Sequence, residues 1–257
     1  MRLTLVGIGT GNPDHLTRQG EAALRAADLL LLPRKGDEKA ALADVRRLIA
    51  TGSGTPVAEF DMPERDASGP YLEGVEAWHD AVARAWAGAL ARHPRARSAA
   101  LMVWGDPSLY DSALRIARRL RPVPELEVVP GITSLQALTA AHRIPLNALG
   151  APVLVTTGRR LREGWPHGAD RIAVMLDGAC AFRSLDPERT RIWWGAYLGM
   201  RDEVLDAGPL AEAGPRIVRR RAEARARAGW IMDVYLLERR GDAAGPGAGA
   251  PPPASGA

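Results

Sequence analysis

Three short glycine-containing loops carry the residues that invite a chemical reading. The first holds Gly7, Gly9 and Gly11, followed by Asn12 and Pro13. The second is Gly105-Asp106-Pro107, and the third is Pro130-Gly131 running to Thr133 and Ser134. Glycine lets a ligand come close to the backbone. Asp106 can accept hydrogen bonds from hydroxyls or an amine, and Pro107 fixes the turn. Thr133 or Ser134 can cap a following helix. The Gly-x-Gly-x-Gly spacing invites a dinucleotide-binding reading, but that fingerprint asks for Gly-x-Gly-x-x-Gly and position 12 is Asn12. The next strand also ends in Pro33-Arg34 rather than in the acidic residue that holds a ribose. An arginine there suits NADP, so that reading stays open beside a plain tight turn. One cysteine, Cys180, excludes an internal disulfide, and no Cys/His cluster offers metal-ligand spacing.

Each loop follows a short apolar run and precedes a helical pattern. Strands are expected at 3–8, 29–32, 55–60, 100–104 and 126–129, and helices at 17–27, 38–50, 71–92 and 114–120. In the second helix the apolar spacing falls on Leu42, Val45, Leu48 and Ile49; Trp78 and Trp86 in the third read as core. Five strands alternating with helices predict a parallel, doubly wound α/β sheet. Ligands bind beyond the carboxyl ends of such strands, so the three loops should gather into a cleft. Pro145, Asn147, Gly150 and Pro152 break the pattern. They divide an N-terminal domain, 1–148, from a smaller mixed α/β domain, 149–240. That second domain has strand candidates at 153–156, 171–176, 191–198 and 229–237 and fewer, shorter helices. Residues 241–257, rich in Gly, Ala and Pro, read as a disordered tail.

The chain has 257 residues, 46% hydrophobic and 25% charged, with a net charge of +4, as an ordinary soluble globular protein does. No apolar run is long enough to span a bilayer, and the opening residues read as a strand into a turn rather than a secretion signal. A cytoplasmic protein is expected. Arg34, Lys35, Arg159, Arg160 and Arg162 cluster near loops, compatible with an anionic small substrate or with nucleic acid. Interleaved acidic residues weigh against nucleic acid. The arginine run 216–227 reads as a solvated helix face, and Cys180 as a small buried hydrophobe.

Together, VGIGTGNPDHLT (6–17), GDPSLYDS (105–112) and PGITSLQA (130–137) resemble the tetrapyrrole methyltransferase family, in the right order over nearly the whole chain. The resemblance implies two α/β domains, S-adenosylmethionine held in a trough between them, and a homodimer. LPRKG (32–36), YLEGVEAWHD (71–80), TTGRRLREGWP (156–166), VMLDG (174–178), WWGAYLG (193–199) and GWIMDVYLL (229–237) are similar to one branch of it. That branch methylates precorrin-5 at C-1, releasing acetate and giving precorrin-6A in cobalamin biosynthesis. Thr10 departs from the family, where many relatives have proline. Matching positions imply cofactor contacts at Gly9, Thr10, Trp104, Gly105, Asp106, Leu109, Tyr110, Thr133 and Ser134, and in the second half at Asp177, Ala196 and Tyr197.

Methyl transfer from a sulfonium needs orientation and desolvation more than an acid or base. Deacetylation is different, because water attacking an acetyl carbonyl needs a base. His15, Asp14 and Asp111 are the candidates, with Tyr110 packing on or hydrogen bonding to the substrate. The many substrate carboxylates call for cations, expected from Arg34, Lys35, Arg159 and Arg160. The alternatives are methylation at another precorrin position or of ribosomal RNA. From other classes, they are an NADP-dependent oxidoreductase and a non-catalytic tetrapyrrole carrier.

Overall fold

The computed structural model describes residues 1–34, 40–66 and 68–239, without the side chains of 40–43. Lys35 and the tail 241–257 lie outside the described residues. The first sheet holds β1 (Arg2–Gly7), β2 (Leu29–Arg34), β3 (Val57–Asp61), β4 (Ser98–Val103) and β5 (Glu125–Val129). Its order is β3-β2-β4-β1-β5 and every neighbouring pair is parallel. Leu29 and Leu31 pack with Val82 and Trp86 of α3 (Tyr71–Ala91). Leu30 and Leu32 pack on the other face with Leu24 of α1 (Arg18–Ala26) and Ile49 of α2 (Ala40–Ser53). A strand apolar on both faces is what a sheet covered by helices on both sides requires. Because β1 lies between β4 and β5, the loops leaving all three start side by side.

Two of those loops lead into α4 (Ala113–Ala117) and α5 (Ser134–His142). Thr133 caps α5 in a capping box with Gln136. The second sheet contains β6 (Val153–Thr157), β7 (Arg171–Met175), β8 (Thr190–Ala196), β9 (Val204–Pro209) and β10 (Asp233–Arg239), in the order β6-β7-β10-β8-β9. Only β6 and β7 run parallel, so the sheet is mixed. Leu135 and Leu138 of α5 pack on Ala173, Trp193, Val234 and Leu236, joining the first half to one face of this sheet.

Three expectations for the second half need correction. The strand expected over 191–198 stops at Ala196, because Tyr197 is left-handed at φ 51°. The one expected over 229–237 begins at Asp233, because Gly229 (φ 74°) is the C-cap of the preceding helix. That helix, α7 (Leu210–Ala228), is 19 residues long, so helices here are not all short; α6 (Gly158–Leu161) is. Among the described residues no helix is long and apolar enough to cross a membrane.

Candidate active site

Close backbone approach ties the three loops together. A Cβ on Gly7 would stand 2.6 Å from the Gly131 nitrogen and 2.7 Å from the Gly105 oxygen, so only glycine fits there. The Gly105 N–H donates to the Gly9 carbonyl at 2.8 Å, and the Gly9 N–H returns a bond of 3.3 Å. Asp106 is the clasp. Its carboxylate accepts from the Ser108 N–H (2.8 Å), the Ser108 hydroxyl (2.5 Å) and the Gly131 N–H (2.8 Å). Burial pushes that carboxyl up, but the bonds from Ser108 and Gly131 outweigh it and hold the group below its usual range. Asp106 is therefore ionised at neutral pH.

The loops form one side of a cleft of about 220 Å³. Thr10, Trp104, Gly105, Asp106, Thr133 and Ser134 line it, and so do Leu109, Tyr110 and Asp111. The second half supplies the facing wall, from Met175, Leu176, Leu198, Met232, Asp233 and Val234. One side is thus rich in hydroxyls and backbone amides, and the other is largely apolar. Tyr110, left-handed at φ 49°, reaches across and donates its hydroxyl to the Val155 carbonyl of β6 at 3.2 Å. Asp111 accepts the Ala113 N–H at 2.6 Å, yet burial still raises its pKa above the ordinary carboxylate value.

Other expected residues lie elsewhere. Gly9 does not line the cleft and is bridged to Gly105. His15 places Nδ1 3.1 Å from the Thr10 hydroxyl but does not line the cleft, and Asp14 is exposed on the turn Pro13–His15. Asp177 accepts the Ala181 N–H (2.6 Å) and the Tyr235 hydroxyl (2.7 Å), which holds its side chain inside the second half. Ala196 is buried in β8, and the Tyr197 hydroxyl donates to the Trp230 carbonyl at 2.5 Å. Their sequence neighbours Leu176 and Leu198 face the cleft in their place.

Of the expected cations, Arg34, Arg159 and Arg160 do not line the cleft and are engaged by other residues. Arg34 forks onto Asp61 at 2.8 and 3.1 Å, because the register of β2 on β3 puts the two side by side. Arg160 pairs with Glu163 at 2.9 Å, and the Arg159 guanidinium lies 4.1 Å from the centroid of Tyr71. Sequence reasoning missed Asp233 and Arg221. The Arg221 Nε and the Trp194 indole N–H each donate to Asp233 at 2.8 Å. Arg221 is only 8% exposed, so the run 216–227 is not wholly a solvated face. Arg46, buried beside Trp104, was missed too.

This donor set fits a nucleoside bearing a cationic tail. It offers an anionic clasp, loop backbone bared by glycine, hydroxyls, and an apolar wall for a flat base. Residues 2–214 match the family model described as Tetrapyrrole (Corrin/Porphyrin) Methylases, and the chain belongs to that family. A Sinorhizobium relative, a precorrin-6A synthase [deacetylating], is 45% identical over 251 residues, covering 94% of this chain and 96% of its own. A crystal structure of a cobalamin-synthesis-related protein from Corynebacterium diphtheriae matches with TM-score 0.80 and 38% identity, over 93% of this chain and 99% of that one. A uroporphyrin-III C-methyl transferase from Thermus thermophilus, complexed with S-adenyl homocysteine, has the same fold. It matches with TM-score 0.58 at 20% identity, over 93% of this chain and 97% of that one.

Proposed function

We propose that the protein is an S-adenosylmethionine-dependent C-methyltransferase that converts precorrin-5 to precorrin-6A, methylating C-1 and releasing acetate. In this reading 1–148 and 149–240 are its two domains, the cleft between them holds cofactor and substrate, and it works as a cytoplasmic homodimer. The observation that carries the reading is that three glycine loops converge on one cleft in a member of this family. The 45% identity to a precorrin-6A synthase selects the reaction.

When bound, the sulfonium supplies the methyl group by in-line displacement. The chain's part is to hold, orient and exclude water. Asp106 and the hydroxyls of Thr10, Thr133 and Ser134 offer the polar contacts, and Leu176, Leu198 and Val234 close the apolar side. For deacetylation Asp111 is better placed than His15 or Asp14, because it lines the cleft and they do not. Asp111 takes a proton from water as the water oxygen bonds to the acetyl carbonyl carbon. The bond from that carbon to C-1 breaks, the acyl unit leaves as acetate, and the electron pair left on C-1 forms the new bond to methyl.

The binding test is calorimetric titration with S-adenosylhomocysteine. Asp106→Ala should weaken binding by about tenfold or more, the loss of a charge-assisted hydrogen bond. Failure of S-adenosylhomocysteine to bind, with NADPH binding instead, would overturn the reading. In turnover, Asp111→Asn should stop acetate release and leave S-adenosylhomocysteine affinity intact. A carboxyl raised by burial acts as a base only above its shifted pKa, so acetate release should climb as pH rises through a value above that of an ordinary exposed aspartate.

A further inference from the structure

Beyond Trp104 a second cavity, of about 300 Å³, adjoins the cleft and shares Trp104, Tyr110 and Asp111 with it. Its remaining wall is mainly apolar, from residues such as Phe60, Met62, Val82 and Ile116. Into it projects one full positive charge. Arg46 is 7% exposed and its Nε has no hydrogen-bond partner. No hydrogen bond from its side chain and no ion pair to it is present among the described residues. Its neighbours are the Trp104 ring, 5.2 Å from the guanidinium to the centroid, and the Asp111 charge. Burial pulls the guanidinium down to about 10, and Asp111 offsets this only in part, so Arg46 stays cationic at neutral pH. The indole N–H groups of Trp86 and Trp104, which line the same cavity, are also buried without acceptors.

Unpaired buried charges and donors are costly, and proteins ordinarily satisfy them. Elsewhere in this chain Arg34, Arg119, Arg171, Arg216 and Arg221 each meet a carboxylate. A cation and two N–H donors in an apolar shell call for a small anion with two acceptor oxygens and an apolar remainder. We propose that this cavity is a carboxylate subsite, with Arg46 forking onto the oxygens and the indoles of Trp86 and Trp104 adding donors. The inference rests on the proposed reaction for the identity of the acid. Acetate released from C-1 and a carboxylate arm of the macrocycle present the same group. Acetate suits the site further, because Asp111 is neutral once it has taken the proton from water.

The test uses the full chain with ¹⁵N-labelled tryptophan, titrated with sodium acetate or sodium propionate against sodium chloride at equal ionic strength. Of the seven tryptophan indole signals, those of Trp86 and Trp104 should shift saturably with carboxylate and not with chloride. Arg46→Met should abolish the shift and raise the melting temperature, since it removes an unpaired buried charge. Arg46→Lys, which keeps the charge and loses the fork, should bind carboxylate more weakly than wild type. No response of either indole to acetate or propionate overturns the subsite, and so does a lower melting temperature in Arg46→Met.

Kinetics identify the source. If the cavity takes released acetate, acetate inhibits turnover and Arg46→Met slows acetate release about tenfold or more at unchanged KM for precorrin-5. If it takes a side arm, KM rises by that factor and kcat holds. Wild-type kinetics in Arg46→Met overturn the subsite and leave the reaction standing. Carboxylate-responsive indoles in a protein that releases no acetate from precorrin-5 overturn the reaction and leave the subsite.

Discussion

Arg46 in the first half and Arg221 in the second are buried to nearly the same depth, 7% and 8% exposed, in opposite surroundings. Arg221 donates through Nε to Asp233 at 2.8 Å and through Nη2 to the Asp177 carbonyl at 3.0 Å. Asp233 also accepts the Trp194 indole, and Asp177 the Tyr235 hydroxyl. That network ties α7 to β8, β10 and the turn after β7, with its donors and acceptors matched. Around Arg46, its Nε and the Trp86 and Trp104 indole N–H groups have no acceptor among the described residues. A satisfied buried charge is a fixture of the fold, whereas an unsatisfied one costs stability that only a ligand can return. The second half therefore serves the cleft as a finished wall, and the first half holds polar groups ready for what enters.

Substitution of the two arginines should give opposite signs. Arg221→Met leaves Asp233 buried without its cation, which costs about 3–5 kcal/mol. Urea denaturation would show this as a lower midpoint, against the higher one expected for Arg46→Met. Adding Asp233→Leu to Arg221→Met should recover most of the loss, because removing both charges avoids an unpaired one. Equal destabilisation by both single substitutions would make the two sites alike and end the distinction.

Neither arginine stands out by local composition. Arg46 is followed by Arg47, and Arg221 by sequence belongs to a run containing Arg219 and Arg220. What separates them is the rotation of each helix against its sheet. Arg221 shares a stripe with Leu210, Ala213, Ile217 and Ala224, and Arg46 one with Ile49 and Ala50, at helical spacing. That stripe was the available signal, and the apolar count over Leu42, Val45, Leu48 and Ile49 misread it, since Leu48 is exposed. The parallel sheet was readable because Leu29 to Leu32 admit no exposed face, and the three loops because glycine, aspartate and a capping threonine have few other uses in that order. The facing wall was not. Leu176 and Leu198 reach the cleft through left-handed residues, Leu176 itself (φ 53°) and Tyr197, which no strand pattern announces. The pairing of Arg34 with Asp61 was not readable either, because it depends on register, a tertiary property.

A smaller effect tests whether the polar loops carry strain of their own. Gly105 has φ +62°, and a Cβ there would meet nothing closer than Thr133 Cα at 3.7 Å. Gly105→Ala should therefore cost about 1–2 kcal/mol from backbone conformation alone. Thermal unfolding would register it, with S-adenosylhomocysteine affinity falling in step if the loop must keep that shape to bind. A loss well above this range would mean that the loop shifts as a whole and drags Asp106 with it.

The smallest effect belongs to the side chain that reaches across the cleft. The Tyr110 hydroxyl donates to the Val155 carbonyl at 3.2 Å, and the residue is 42% exposed. Water can replace that bond, so Tyr110→Phe should cost less than about 1 kcal/mol of stability. It should also leave S-adenosylhomocysteine binding close to wild type, because the ring that borders both cavities is retained. A larger fall in precorrin-5 turnover than in stability would assign the hydroxyl to the substrate. The bond to Val155 would then be a resting contact that the substrate displaces, and the boundary between the finished wall and the receptive loops would run through Tyr110 itself.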